Sequence, residues 1–192
     1  MYRIGSHDTM SYLPPLKWWM RPFRFMSRCQ RVNIEKQYHE YGIRLFDIRI
    51  KWDNKYRCWC FAHGAMVFGG KNVMDILQWL DNRADCMVRL VLEYNREPRN
   101  SAEICDRFVR LCVHVRHVFC NTVFFEFTRK WDWKKLYHYD GEPVPSIYQA
   151  TSSTTWRIYD DWWPWIYAKV HNEDNRRQGT TSDWLLLDFV DI

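Results

Sequence analysis

Short apolar runs with strand periodicity alternate with helix-period segments along this chain, an order that only a few layered architectures accept. A strand closes at Gly5, and an irregular Pro- and Trp-rich stretch follows over residues 13–27. The pattern then predicts a helix over 29–41 stopped by Gly42, strands over 43–50 and 57–62, and a helix capped by Asn72 and running to 80. A buried-type strand (VRLVLEY) spans 88–94, and Ser101 with Glu103 opens an amphipathic helix to about 117. Strands are expected over 122–128, 147–151 and 156–159, a helix from Pro164 to 170, and a last strand over 184–190. Strands joined by helices argue for a parallel sheet: a small, distorted and incompletely covered (β/α) barrel, with a doubly wound sheet as the other solution. No repeat or low-complexity linker breaks the pattern, so 1–192 reads as one domain.

Composition agrees with a packed globule, since 47% of residues are hydrophobic and Gly and Pro number only 7 each. The 12 tryptophans leave open whether the rings fill a core, line a site or lie on a membrane. A net charge of +5 suits anionic substrates or membrane surfaces and falls short of a nucleic-acid signature. No apolar run reaches transmembrane length. Ile4 already belongs to the first strand, which leaves no room for a leader and makes a cytoplasmic location the default. The 7 cysteines follow no zinc spacing and read as reduced, mostly buried thiols.

Ionisable residues gather at the ends of the expected strands. His7 and Asp8 follow the first, Asp47 and Arg49 lie toward the end of the second, and His63 follows the third. Glu93 lies near the end of the fourth and Asp188 near the end of the last. In a (β/α) barrel the C-terminal strand ends share one mouth, where active sites are built, so these groups are expected to converge.

The run Gly5-Ser6-His7-Asp8 resembles the opening motif of the phosphatidylinositol-specific phospholipase C catalytic domain. Cys29-Gln30 and then Gly42-Ile43-Arg44-Leu45-Phe46-Asp47-Ile48-Arg49 resemble its next block, and His63-Gly64 its second histidine motif. Val88 to Glu93 and Leu187 to Val190 resemble two further strands. The likeness is dense over 3–94 and thin over 95–160.

That resemblance implies a phosphorus–oxygen lyase acting on phosphatidylinositol-type lipids, yielding diacylglycerol and an inositol cyclic phosphate. His7 becomes the general base oriented by Asp188, and His63 the general acid. Arg49 becomes the fork on the phosphoryl oxygens, with Asp8 and Asp47 holding Arg49 and His63 in place. Glu93 is assigned to substrate binding; it departs from the metal-independent bacterial pattern, which has a lysine near this point. No cofactor is expected. Metal-using relatives hold Ca²⁺ on acidic side chains, which Asp8, Asp47 and Glu93 can offer, but Arg49 stands where their pattern has a second carboxylate.

Trp18 and Trp19, interleaved with Lys17 and Arg21, suit the surface of a membrane bearing the phospholipid substrate. Packing over the barrel in place of a helix explains them equally well. The alternative functions are a metal-dependent glycerophosphodiesterase and a non-catalytic lipid- or phosphoinositide-binding module.

Overall fold

The structure, a computed structural model, describes residues 3–94, 98–119, 122–127, 146–151 and 163–192, the segment 122–127 through its backbone. The elements in chain order are β1 (Arg3–Ser6), α1 (Ile34–His39), β2 (Leu45–Asp53), β3 (Cys58–His63), β4 (Met66–Phe68) and α2 (Val73–Asp81). There follow β5 (Met87–Leu92), α3 (Ser101–Val118), β6 (Thr122–Phe127), β7 (Ile147–Ala150), α4 (Pro164–Gln178) and β8 (Trp184–Leu187). A 3₁₀ turn over Thr9–Tyr12 and a longer 3₁₀ stretch over Trp18–Met26 link β1 to α1. The strand expected over 156–159 lies outside the described residues. No described helix is long and apolar enough to cross a membrane.

Parallel pairings join the strands in the order β7-β8-β1-β2-β5-β6. That order is the chain order closed on itself, with the last strand beside the first, as in a barrel. No β6–β7 pairing occurs among the described residues, and the sheet is a curled half-barrel in a mixed α/β fold.

One expectation needs correcting: β3 does not run parallel to its neighbours. It returns antiparallel along β2, with Ile50 opposite Phe61, and continues into a hairpin with β4. The physical reason is the short link of four residues between β2 and β3, which allows a hairpin but not a parallel crossover. One edge of β2 is taken by β5 from Leu45 to Ile50, so β1 and the β3–β4 hairpin share the other edge in succession.

The period of two along each strand divides the sheet into two faces. Phe46, Ile48, Ile50, Val88, Leu90, Leu92, Leu185 and Leu187 point outward and join Ile76, Ile104 and Phe108 of the helices in the main core. Leu45, Trp184 and Leu186 point into the curl, packed by Met87 and Ile147, and form a smaller core at its base. Gly5 belongs to that inner layer. A Cβ there would meet Leu45 Cβ at 2.9 Å and Leu186 Cδ1 at 3.0 Å, so only glycine lets β1 sit between its neighbours.

Candidate active site

Two residues beyond the inner apolar layer, β1, β2, β5 and β8 turn polar. Stepping on from Leu45 gives Asp47 and then Arg49; from Gly5, His7; from Met87, Arg89; from Leu186, Asp188. The inward face is thus a small apolar floor with ionisable groups directly above it. His7, Asp8, Asp47, Glu93 and Asp188 are all buried, a placement that ionisable groups tolerate only when paired.

His7 and Asp188 leave adjacent strands side by side. The His7 N–H donates to the Leu187 carbonyl at 2.9 Å, and His7 Nδ1 lies 2.6 Å from Asp188 Oδ1. Both chains turn sharply just afterwards, through left-handed Asp8 (φ 40°) and Phe189 (φ 46°). Two buried amides hold these turns. Gln30 donates to the carbonyls of His7 and Leu187, each at 3.0 Å, and accepts from the Val190 N–H at 3.1 Å. Asn172 of α4 donates to the Asp188 carbonyl at 2.7 Å. With Nδ1–H pointing at Asp188, Nε2 of His7 is a bare acceptor, and it is buried with no hydrogen-bond partner.

The reversal of β3 brings His63 to the same place from the opposite direction. Its ring stands edge-on to that of His7, with centroids 5.6 Å apart. His63 Nδ1 lies 3.1 Å from the Ser27 carbonyl, 3.3 Å from Asp8 Oδ2 and 3.5 Å from Cys29 Sγ. Burial lowers its pKa to about 4, helped by the positive charge of Arg49, so the ring is neutral near pH 7 in the free protein. Burial drives Asp8 the other way, well above the usual carboxylate range, and neighbouring Asp47, Glu93 and Asp188 add to it against the pull of Arg49.

Arg49 ties the floor together. Its Nε donates to Asp47 Oδ2 at 2.8 Å and its Nη1 to Glu93 Oε2 at 3.1 Å. Burial by itself would raise the Asp47 pKa, but Arg49 and Arg89 outweigh it and hold the carboxylate well below its usual range. Burial likewise opposes the charge on Arg49, and Asp47 and Glu93 more than restore it. Asp47 also accepts from the Asp8 N–H at 2.9 Å, which fixes the turn after β1. Because Arg49 lies between Asp47 and Glu93 and uses both, the set Asp8, Asp47 and Glu93 does not fit a Ca²⁺ ion, which would need those oxygens for itself.

The structure therefore gathers His7, Asp8, Asp47, Arg49, His63, Glu93 and Asp188 into one cluster. Trp18 and Trp19 stand apart on the 3₁₀ stretch, exposed. His39, His114 and His117 lie exposed on helices. Sequence reasoning missed Arg89, which reaches Asp47 Oδ1 at 3.4 Å, although a lone arginine in phase with Glu93 on a buried-type strand marks it. It also assigned nothing to Cys29, Gln30 and Asn172. The dipeptide Cys29-Gln30 was visible as a motif, whereas nothing local singles out Asn172 on a polar helix.

Among solved structures, the chain is similar to a phosphatidylinositol-specific phospholipase C from Listeria monocytogenes. The TM-score is 0.60 at 15% identity, covering 98% of this chain and 88% of that one. No family model and no curated protein matches the sequence. At that identity the likeness is one of fold, and it extends over nearly the whole of this chain.

Proposed function

We propose that residues 1–192 form a single catalytic domain that cleaves phosphatidylinositol-type lipids by intramolecular attack of the inositol 2-hydroxyl on phosphorus. The observation that carries this reading is a pair of imidazoles 5.6 Å apart, each facing a buried carboxylate, beside a guanidinium fixed by Asp47 and Glu93. His7 takes the hydroxyl proton on Nε2 while Asp188 steadies the imidazolium that forms. Arg49 and Arg89 face the charge that grows on the phosphoryl oxygens. His63 gives its proton to the leaving alkoxide. An anionic phosphodiester bound beside it offsets the effects that keep the free ring neutral, so the acid form arises with the substrate.

The bond from phosphorus to the diacylglycerol oxygen breaks as the bond to the inositol oxygen forms, leaving diacylglycerol and a cyclic phosphodiester. No metal takes part in this reading, because Arg49 supplies the positive charge at the carboxylates an ion would need. The curled sheet is then a distorted TIM-type barrel with its site at the C-terminal strand ends.

The test is turnover of phosphatidylinositol in excess EDTA, with products read by phosphorus NMR. Cyclic phosphate should accumulate. His7→Ala and His63→Ala should each lose about 10²-fold or more while retaining the wild-type far-ultraviolet spectrum. Activity abolished by EDTA and restored by Ca²⁺ would overturn the metal-free mechanism, and unimpaired histidine variants would overturn the acid–base assignment.

A further inference from the structure

Cys29 takes no part in that chemistry, yet its thiol is fully buried at the centre of the site. Two sets of donor atoms meet there, His7–Cys29–Asp188 and Asp8–Cys29–His63, each with all atoms within 4.8 Å of one another. Distances separate the two. A tetrahedral Zn²⁺ with Zn–N and Zn–O bonds of about 2.0 Å and a Zn–S bond of about 2.3 Å spaces N and S by about 3.5 Å and N and O by about 3.3 Å. His7 Nδ1 and Asp188 Oδ1 are 2.6 Å apart, a hydrogen bond with no room for an ion. His63 Nδ1 lies 3.5 Å from Cys29 Sγ and 3.3 Å from Asp8 Oδ2, the spacing of two tetrahedral edges.

A second observation points the same way. Asp8 is 0% exposed, and neither of its carboxylate oxygens accepts a hydrogen bond. An orphaned buried carboxylate is costly and calls for a partner. The His63 Nδ1 faces it at 3.3 Å without forming that bond. The His63 side chain, 20% exposed, provides the opening through which an ion can enter.

We propose that Asp8, Cys29 and His63 form a binding site for a thiophilic divalent cation of the Zn²⁺ class, and that its occupation shuts off phosphodiester cleavage. The mixed sulfur, nitrogen and oxygen donors select Zn²⁺ and reject Ca²⁺ and Mg²⁺. As the Zn–S bond forms, the Cys29 thiol proton leaves to solvent, together with any proton on Asp8. His63 gives up its Nδ1–H bond to the Ser27 carbonyl, carries its proton on Nε2 and binds the ion through Nδ1. A ring metallated at Nδ1 cannot become imidazolium, so it no longer serves as the acid. Binding depends only on the three side chains; inhibition rests on the function proposed above.

The full chain is tested with Cys58 and Cys60 replaced by Ser, because these thiols lie 3.7 Å apart on the exposed end of β3 and would give their own signal. Titration with Co²⁺ should develop a thiolate-to-cobalt charge-transfer band and the intense visible bands of a tetrahedral ion, both erased by one equivalent of Zn²⁺. Cys29→Ser should lose the charge-transfer band. Asp8→Asn keeps the thiol and should weaken Zn²⁺ binding by more than about tenfold, the least that losing even an outer-shell partner costs. Absence of the bands, a band that survives Cys29→Ser, or Asp8→Asn binding Zn²⁺ as well as its parent would each overturn the site.

Turnover is then compared with and without Zn²⁺. Suppression in the parent, reversed by EDTA and absent in Cys29→Ser, is expected. Undiminished turnover at saturating Zn²⁺ overturns the inhibition. Cobalt bands in a protein that cleaves no phosphodiester would instead overturn the proposed function and leave the metal site standing.

Discussion

Replacing Arg49 would strand two buried carboxylates, and the cost of that should depend on pH in a specific direction. In the wild type, burial is outweighed at Asp47 and Glu93, so both sit below their ordinary values of 3.8 and 4.5. Groups depressed in the folded state contribute stability above their unfolded pKa and lose it as pH falls through that range. Arg49→Met removes the leading charge that opposes burial, so the folded-state values, that of Glu93 above all, rise past the unfolded ones. The penalty then grows with pH. At pH 7 the variant should lose about 3–5 kcal/mol, the usual cost of breaking a buried pair from one side. Melting temperatures from pH 7 to pH 4.5 should converge, wild type falling or level while the variant gains. A gap independent of pH would mean that Arg49 contributes through packing alone.

At the scale of elements, the site depends on how closely β1 is held between β2 and β8. Gly5→Ala would press a methyl against Leu45 and Leu186, and overpacking of this kind costs about 1–3 kcal/mol. His7 lies two residues further on, so the same variant should lose phosphodiester turnover beyond what its remaining folded fraction explains. Asn72→Ala makes the matching control. Its side chain caps α2 by accepting from the Met74 N–H at 2.8 Å. That variant should lose about 1 kcal/mol in urea unfolding and keep full activity.

Legibility followed the same scale. Elements with a local signal were readable: Asn72 does cap α2, Pro164 does open α4, and the apolar run of β5 is a central strand. Elements ended by tertiary contacts were not. The helix expected from Cys29 begins only at Ile34, because the N–H groups of Cys29 and Gln30 donate to Ser11 Oγ and the Gln30 side chain bridges β1 and β8. The last strand stops at Leu187 rather than Val190, since Phe189 turns left-handed and donates its N–H to the Cys29 carbonyl. Helix α4 runs on to Gln178 over a polar stretch that periodicity does not mark, stabilised at the surface by the Glu173–Arg177 pair and stopped at Gly179. The inward-facing ionisable residues could be found from phase and motif. The direction from which His63 arrives could not, because a strand's sense relative to its neighbours is not written in its own periodicity.

At the scale of the whole molecule, part of the aromatic surplus is gathered on one exposed segment. Trp18, Trp19, Phe23 and Phe25 on the 3₁₀ stretch are exposed, at 74%, 52%, 54% and 49%. Lys17 lies over the Trp19 ring and Arg21 is exposed among them. Phe25 packs edge-on against Trp163, which joins this segment to the start of α4. The segment also reaches the site, since the Ser27 carbonyl contacts His63. Aromatic rings with cations between them are the side chains that settle at a bilayer's headgroup level, and this face would set the cluster against lipid. Trp18→Ala with Trp19→Ala should therefore weaken sedimentation with vesicles containing anionic phospholipid. Because both rings are solvent-exposed, the melting temperature should not change. Cleavage of a water-soluble inositol phosphodiester should stay at the wild-type rate, while cleavage of vesicle-borne phosphatidylinositol falls in step with binding. Equal loss on the soluble and the vesicle substrate, or a drop in melting temperature, would show that the two tryptophans support the fold rather than meet the membrane.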